Sequence, residues 1–375
     1  MKIIFTGGGT GGHFYPIIAV AEALNQLIEE ERLVRPELYY FATDPYDPRA
    51  LYEQNIQFQR VTAGKRRRYF SPRNFFDLFK TAWGALIALG KTYWLYPDVV
   101  FSKGGYVSFP TLLAARLLRI PVVIHESDSR PGRVNAWSAK FAKRVAVSYP
   151  EAATFFPSGK TAVTGNPIRQ ELLTPITVGA REFLKLEEGI PLIFITGGSQ
   201  GAAAINDALL DIVPELIKHY QIIHQVGAAN LTEVEKRARF LLADHPEAAR
   251  YKTFASLNTD ALRMVAGVAD LIITRAGSFI FEAAHWGIPA IIIPIPEEIS
   301  HDQRSNAFTY ARSGGAIVIE QGNLTSSILR SEIDRLLGNR DLLAKMSVGA
   351  KNFSRHDAAK TIAQEILKLA LRHEE

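Results

Sequence analysis

There is no cysteine in the 375 residues. Its absence excludes disulfide frameworks, thiolate metal sites and cysteine nucleophiles, and it suits a reducing compartment. Long apolar runs are also missing. The longest candidate, Thr81 to Gly90, is bounded by Lys80 and Lys91 and falls short of the roughly 18 residues that a spanning helix needs. Met1-Lys2-Ile3-Ile4-Phe5 runs straight into glycines, too short a stretch for the core of a signal peptide. The expectation is a protein that is soluble or at most peripheral to a membrane.

With 47% hydrophobic and 22% charged residues, the composition is globular, and the length favours two domains. Charge is unevenly placed. Residues 1–168 carry 21 Lys+Arg against 13 Asp+Glu, and the remainder 22 against 25, so the first half should seek something anionic.

The two halves open alike. Ile4-Phe5-Thr6-Gly7-Gly8-Gly9-Thr10-Gly11-Gly12 ends an apolar run and precedes an amphipathic stretch, Pro16 to Leu27. Phe194-Ile195-Thr196-Gly197-Gly198-Ser199-Gln200-Gly201 does the same before Ala202 to Leu216. Each predicts strand, glycine turn and helix, the opening of a doubly wound α/β unit. Further buried-strand candidates are 38–42, 99–101, 122–124 and 145–147, then 222–225, 271–273 and 290–293. Helical patterns separate most of them, which favours parallel sheets. The expected class is α/β, with two Rossmann-like domains facing a cleft: 1–168, and 169–354 after a junction of Gly and Pro, with a last helix at about 355–373.

Glycine lets backbone approach a ligand, and a helix start offers donors to phosphate. Gly7-x-Gly9-x-x-Gly12 also satisfies the dinucleotide fingerprint. The acidic residue expected about 20 residues later should end the second strand; the candidate, Asp44, comes much further on, and a dehydrogenase is the weaker alternative.

Gly7 to His13, Gly104-Gly105-Tyr106-Val107-Ser108, Pro121 to Glu126, Gly165-Asn166-Pro167-Ile168-Arg169 and Gly197 to Ala202 appear in order, followed by Arg275-Ala276-Gly277, Glu282, Gly287-Ile288-Pro289 and Gln303 to Ala307. This set resembles glycosyltransferase family 28, and within it the MurG-type transferases, along nearly the whole chain. The resemblance implies a GT-B fold and an inverting hexosyl transfer of N-acetylglucosamine from UDP-N-acetylglucosamine to lipid I, giving lipid II. It further implies a place in peptidoglycan and cell-wall synthesis, and so in cell shape, division and the cell cycle. The partners implied are the donor, lipid I and the anionic inner leaflet of the cytoplasmic membrane, with the chain peripheral on its cytoplasmic face.

By the same resemblance the second domain holds the donor, the first holds the acceptor, and the last helix packs back on the first. Donor contacts fall on Thr10, Gly11, Gly12, Arg169, Gly198, Ser199, Gln200, Gly201, Leu257, Ser278, Phe279, Glu282 (ribose) and Gln303 (sugar hydroxyls). Acceptor contacts fall on Gly9, Gly104, Gly105, Tyr106, Glu126, Asp128 and Asn135. The family commonly has Gln-Asn after His-Glu, whereas this chain has Ser127-Asp128. An anionic Asp128 is expected to meet substrate differently or not at all. Asp302 replaces an amide or imidazole, His301 is a possible substitute, and the loop 277–282 is one residue shorter than the common pattern.

The acceptor hydroxyl must lose its proton as it attacks, and histidine is a suitable base. His13 is the first candidate. His125 is the second, with Glu126 expected to raise its basicity, against the plainer expectation of a structural His125–Glu126 pair at a strand end. Asp-x-Asp, by which many nucleotide-sugar transferases hold Mg²⁺, occurs nowhere. No cofactor and no site-bound metal are therefore expected.

Lys65-Arg66-Arg67-Arg68-Tyr69-Phe70 precedes Phe75, Phe76, Leu78, Phe79, Trp83, Leu86 and Ile87. Cations beside an apolar stripe suit an anionic leaflet; no nucleic-acid-binding motif accompanies them. Two other functions remain open: a related GT-B transferase acting on another lipid such as a diacylglycerol, and a non-catalytic UDP-sugar-binding protein.

Overall fold

Runs of β-branched and aromatic residues form the strands, and glycine turns at their carboxyl ends lead into helices. A computed structural model describes residues 1–64, 73–198, 202–297 and 303–374. The basic run 65–70, Ser199, Gln200, Gly201, His301 and Asp302 lie outside the described residues, as do the side chains of Phe75, Phe76 and Leu78.

The chain divides into two compact units, Met1–Gln170 with Arg355–Glu375, and Glu171–Ser354. The first contains strands β1 (Lys2–Thr6), β2 (Glu37–Ala42), β3 (Ile56–Arg60), β4 (Val99–Ser102), β5 (Val122–Glu126), β6 (Arg144–Val147) and β7 (Thr161–Val163). Their order is β3-β2-β1-β4-β5-β6-β7, and every pairing is parallel. The second unit contains β8 (Leu192–Thr196), β9 (Gln221–Gln225), β10 (Tyr251–Phe254), β11 (Leu271–Thr274), β12 (Ala290–Ile292) and β13 (Ala316–Val318). Their order is β10-β9-β8-β11-β12-β13, again all parallel. Numbered from its own first strand, each unit follows the doubly wound order 3-2-1-4-5-6, and the first adds a seventh strand beside the sixth. Ligands in such sheets bind beyond the strand carboxyl ends where the order reverses. That point is β1/β4 in the first unit and β8/β11 in the second.

The first core joins β1, β2 and β4 to the helix Gly11–Glu30 and to the last helix, Ala358–Glu374, which contributes Ile362, Ile366, Leu367 and Ala370. These four recur on one face of a 3.6-residue period. The second core is built on Ile193, Ile195, Ile222, Ile273 and Ile291 with Leu209, Val213, Leu329 and Ile333 from its helices.

Two helical expectations are corrected. The first helix begins at Gly11, five residues before Pro16, so Gly11, Gly12 and His13 form its first turn rather than a loop before it. The stretch 202–216 is not continuous; it divides into Ala203–Leu210 and Val213–Leu216. Pro214 causes the break, because it has no N–H to donate and its ring clashes with the carbonyl four residues back.

Candidate functional site

In the first unit the switch point lies where Thr6 of β1 pairs with Ser102 of β4. Two glycine segments leave it, Gly7 to Thr10 and Gly104-Gly105. Tyr40 Oη donates to Gly7 O at 2.6 Å. Gly8 has no room for a side chain, since a Cβ would stand 2.9 Å from that hydroxyl. Gly9 is exposed, and a Cβ there would stand 3.7 Å from the Tyr106 ring.

His13 is half-buried in the first helical turn, with Nδ1 3.0 Å from Thr10 Oγ1. Its Nε2 faces Gly105, 3.8 Å from where a Cβ would stand. Burial, followed by the charge of Lys103, pulls its pKa down to about 4. The imidazole is therefore neutral near pH 7, with one ring nitrogen turned to the second glycine segment.

Gly104 has φ +81, and a Cβ there would lie 2.7 Å from both amide atoms of Asn135. Asn135, buried in the helix Arg133–Ser138, donates through Nδ2 to His125 O at 3.0 Å and to Glu126 Oε2 at 2.9 Å. Glu126 also accepts from the N–H groups of Asp128 at 3.1 Å and Gly132 at 2.9 Å. Burial and then the charge of Asp128 push its pKa up to about 7, against the lowering effect of those three donors. Glu126 and Asn135 thus form the base of the loop that carries Asp128.

His125 and Glu126 are not a pair. Adjacent strand residues point to opposite faces, and His125 turns to Lys103 Nζ, 2.7 Å from Nδ1, and to Gly165 O, 2.9 Å from Nε2. An ammonium can only donate, so with Lys103 charged Nδ1 accepts and Nε2 carries the proton given to Gly165. The expectation that Glu126 makes His125 more basic is corrected: burial and then the Lys103 charge hold it well below the ordinary histidine value. Both ring nitrogens are engaged, whereas His13 keeps one toward Gly105.

Sequence reasoning missed Lys103. It is 1% exposed, and Nζ also donates to Asn166 Oδ1 at 3.2 Å. The only signal was its place between a buried strand and a glycine pair.

Arg169 belongs to the first unit, where its guanidinium lies 4.3 Å from the centroid of the Tyr15 ring. Thr10, Gly11 and Gly12 are likewise first-unit residues at the start of the Gly11–Glu30 helix.

In the second unit, Thr196 of β8 pairs with Thr274 of β11 at the switch point. Thr196 Oγ1 accepts from Gly198 N at 3.1 Å and from Gln225 Nε2 at 3.2 Å, and Gln225 Oε1 accepts from Leu257 N at 2.9 Å. This chain fixes the loop bearing Leu257 against the ends of β9 and β8. After β11, Arg275 donates to Ile293 O at 3.0 Å and Pro294 O at 3.3 Å; burial pulls its pKa down to about 10. Arg275 so anchors the turn Ala276-Gly277-Ser278, from which the helix Phe279–Trp286 starts with Glu282 in its first turn. The Phe279 ring packs edge-on against Phe194 and Trp286, so the ring is engaged in packing. Gln303 Oε1 accepts from Ile295 N at 3.2 Å, and Nε2 faces Gly277, 4.0 Å from a Cβ position. Gly198, Gln303, Glu282 and the Gly277 turn thus gather at the carboxyl ends of β8, β11 and β12.

Among the described residues no group of three or more His, Cys, Asp or Glu could hold a metal ion. No described helix is long and apolar enough to cross a membrane. The helix Arg73–Leu95 shows Phe79 at 60%, Trp83 at 63% and Leu86 at 62% exposure, spaced to share one face.

Comparison with known proteins defines the class. Residues 3–147 match the glycosyltransferase family 28 N-terminal domain and residues 192–362 its C-terminal domain. The chain belongs to glycosyltransferase family 28. Among curated relatives, the UDP-N-acetylglucosamine--N-acetylmuramyl-(pentapeptide) pyrophosphoryl-undecaprenol N-acetylglucosamine transferase of Clostridium novyi is 36% identical over 349 residues, 92% of each chain. Its counterpart from Treponema denticola is 36% identical over 335 residues, 84% of this chain and 83% of the relative. The crystal structure of Acinetobacter baumannii MurG superposes with a TM-score of 0.71 at 30% identity, covering 98% of this chain and 99% of that one. The S. aureus MnaA–UDP co-structure, at 17% identity and a TM-score of 0.73 over 100% of this chain and 98% of that one, shares the fold.

Proposed function

We propose that this chain transfers N-acetylglucosamine from UDP-N-acetylglucosamine to the muramoyl 4-hydroxyl of undecaprenyl-linked lipid I, with inversion, giving lipid II in peptidoglycan synthesis. The observation that carries this is the match over 92% of both chains to a relative named for that transfer. In the reaction the acceptor oxygen bonds to the anomeric carbon as the bond to UDP breaks, and UDP leaves with the electron pair. His13 Nε2 takes the hydroxyl proton, while the Thr10 hydroxyl beside Nδ1 stabilises the imidazolium that forms. Gly9, Gly104, Gly105, Tyr106 and Asn135 line the acceptor side. Glu282 holds the ribose diol, Gln303 the sugar hydroxyls, and backbone N–H groups at Gly197 and Gly198 the departing diphosphate. No site-bound metal takes part; activity should survive chelation by EDTA.

The lipid acceptor calls for a membrane surface. The face of Phe79, Trp83 and Leu86, with the basic excess of the first half, supports peripheral contact with the anionic inner leaflet. Changing Phe79 and Trp83 to Glu should abolish co-sedimentation with phosphatidylglycerol vesicles and leave UDP binding intact.

The deciding assay offers radiolabelled UDP-N-acetylglucosamine with lipid I or with diacylglycerol. Label on lipid I alone is expected. Label on diacylglycerol alone would make this a transferase for another lipid, and UDP binding without turnover on either would make it a sugar-nucleotide-binding protein.

A further inference from the structure

The exposed face of the helix Arg73–Leu95 does not end at Leu86. At about 100° per residue, Phe79, Trp83, Leu86, Gly90, Tyr93 and Trp94 fall within roughly 100° of its circumference. They form a strip about 22 Å long at the helical rise. Tyr93 is 60% and Trp94 86% exposed, and Tyr96, just past the helix, 55%. Three exposed Tyr or Trp side chains within four positions suit the border between water and lipid, where such a ring has an apolar body and a wet tip.

Gly90 interrupts the strip. Glycine weakens a helix interior relative to alanine, and the glycines of this helix differ in what requires them. At Gly84 a Cβ would collide with Thr62 O, whereas at Gly90 it would meet nothing within 4 Å. Packing therefore does not demand the second glycine. Beside it lies a groove of about 480 Å³, lined by Tyr39 and Phe41 of β2, Gln59 of β3, and Lys91, Trp94 and Leu95 of the helix. Tyr39 and Phe41 are buried on the face of β2 opposite Leu38, Tyr40 and Ala42, which enter the first core. Lys91 brings the one charge of the lining. Its Nζ donates to Gln59 Oε1 at 2.8 Å and to Arg60 O at 3.2 Å, and an ammonium has a third N–H to give. Aromatic walls, one cation and continuity with the Phe79–Trp83–Leu86 face call for a hydrocarbon chain beside an anionic head.

We infer that this groove takes an acyl chain of an anionic phospholipid, with Lys91 against its phosphate. The inference rests on the membrane contact proposed for Phe79, Trp83 and Leu86, and it deepens that contact from surface attachment to a defined lipid site.

The test fills the groove in the full chain. Gly90→Leu meets no neighbour at its Cβ and adds a better helix former, so the thermal midpoint should hold or rise. One probe is lysophosphatidylglycerol below its micelle concentration, followed by calorimetry. The other is phosphatidylglycerol vesicles brominated at mid-chain, which quench nearby tryptophan; the quenching lost in Trp94→Phe belongs to Trp94. The wild-type chain should bind one lysolipid. Gly90→Leu should weaken that binding about 15-fold, at roughly fourfold for each of two methylenes shut out, and remove the Trp94 quenching. Lys91→Gln should weaken it about fivefold at low salt. No bound lysolipid, equal affinity in wild type and Gly90→Leu, or self-association of the chain that Gly90→Leu abolishes would overturn the inference. Vesicle binding without lysolipid binding sinks the groove and leaves the membrane contact standing. Lysolipid binding that Gly90→Leu weakens, in a chain that does not sediment with vesicles, keeps the groove and removes the membrane contact.

Discussion

Thr10 Oγ1 lies 3.0 Å from His13 Nδ1 across one helical turn, which assigns the two ring nitrogens different tasks. If Nδ1 keeps its proton and donates to the hydroxyl, Nε2 is the basic atom, and it faces Gly105. His13→Ala should lower kcat by about 10²–10⁴, the usual worth of a general base, with UDP binding retained. Thr10→Val should cost less and move the acid limb of the kcat profile. Steady-state kinetics on lipid I, with calorimetry for UDP, separate these effects; a fully active His13→Ala would remove His13 from the chemistry.

Gly104 combines a left-handed backbone, φ +81, with the close approach of Asn135. Gly104→Ala should push Asn135 off Glu126 and destabilise the first unit by about 1–3 kcal/mol. Denaturant unfolding measures the loss. An unchanged midpoint would mean that the turn relaxes freely.

Glu282 opens the helix Phe279–Trp286, beside the anchored Gly277 turn. Glu282→Gln should raise the KM for UDP-N-acetylglucosamine about 10- to 100-fold, the range for a hydrogen bond to a charged group, with the lipid I KM nearly unchanged. A change confined to the acceptor KM would move the donor site away from this helix.

His224 is buried between Tyr251 Oη, 2.8 Å from Nδ1, and Asn206 Oδ1, 3.0 Å from Nε2. Burial lowers its pKa from 6.5 to about 3. Between those values the unfolded chain binds the proton and the folded chain does not, so stability rises with pH across that window and is lost as pH falls through it. The slope is about 1.4 kcal/mol per pH unit well inside the window. Guanidinium midpoints at pH 7 and pH 4.5 should differ more for the wild-type chain than for His224→Gln. Equal differences would show that other groups govern the acid sensitivity.

Much of this architecture was legible in the chain. Every interior strand of both sheets showed as an apolar run, because a strand covered on both faces excludes polar side chains. The four strands that escaped, β3, β7, β10 and β13, are the four sheet edges. Edge strands are short and tolerate polar residues, and Ile56-Gln57-Phe58-Gln59-Arg60 and Thr161-Ala162-Val163 give weak signals for that reason. The glycine turns announced themselves through composition. Lys103 did not, since a lysine after a strand ordinarily lies in solvent, and its burial depends on His125 and Asn166, 22 and 63 residues away. The same distant contacts reversed the expected basicity of His125.

The last helix, Ala358–Glu374, completes a core begun by the helix Gly11–Glu30. During synthesis the leading unit therefore emerges with an uncovered greasy strip, and it must wait for the entire trailing unit to leave the ribosome before its final piece arrives. Premature termination between Ser354 and Ile362 would strip that covering from the half of the molecule that was made first.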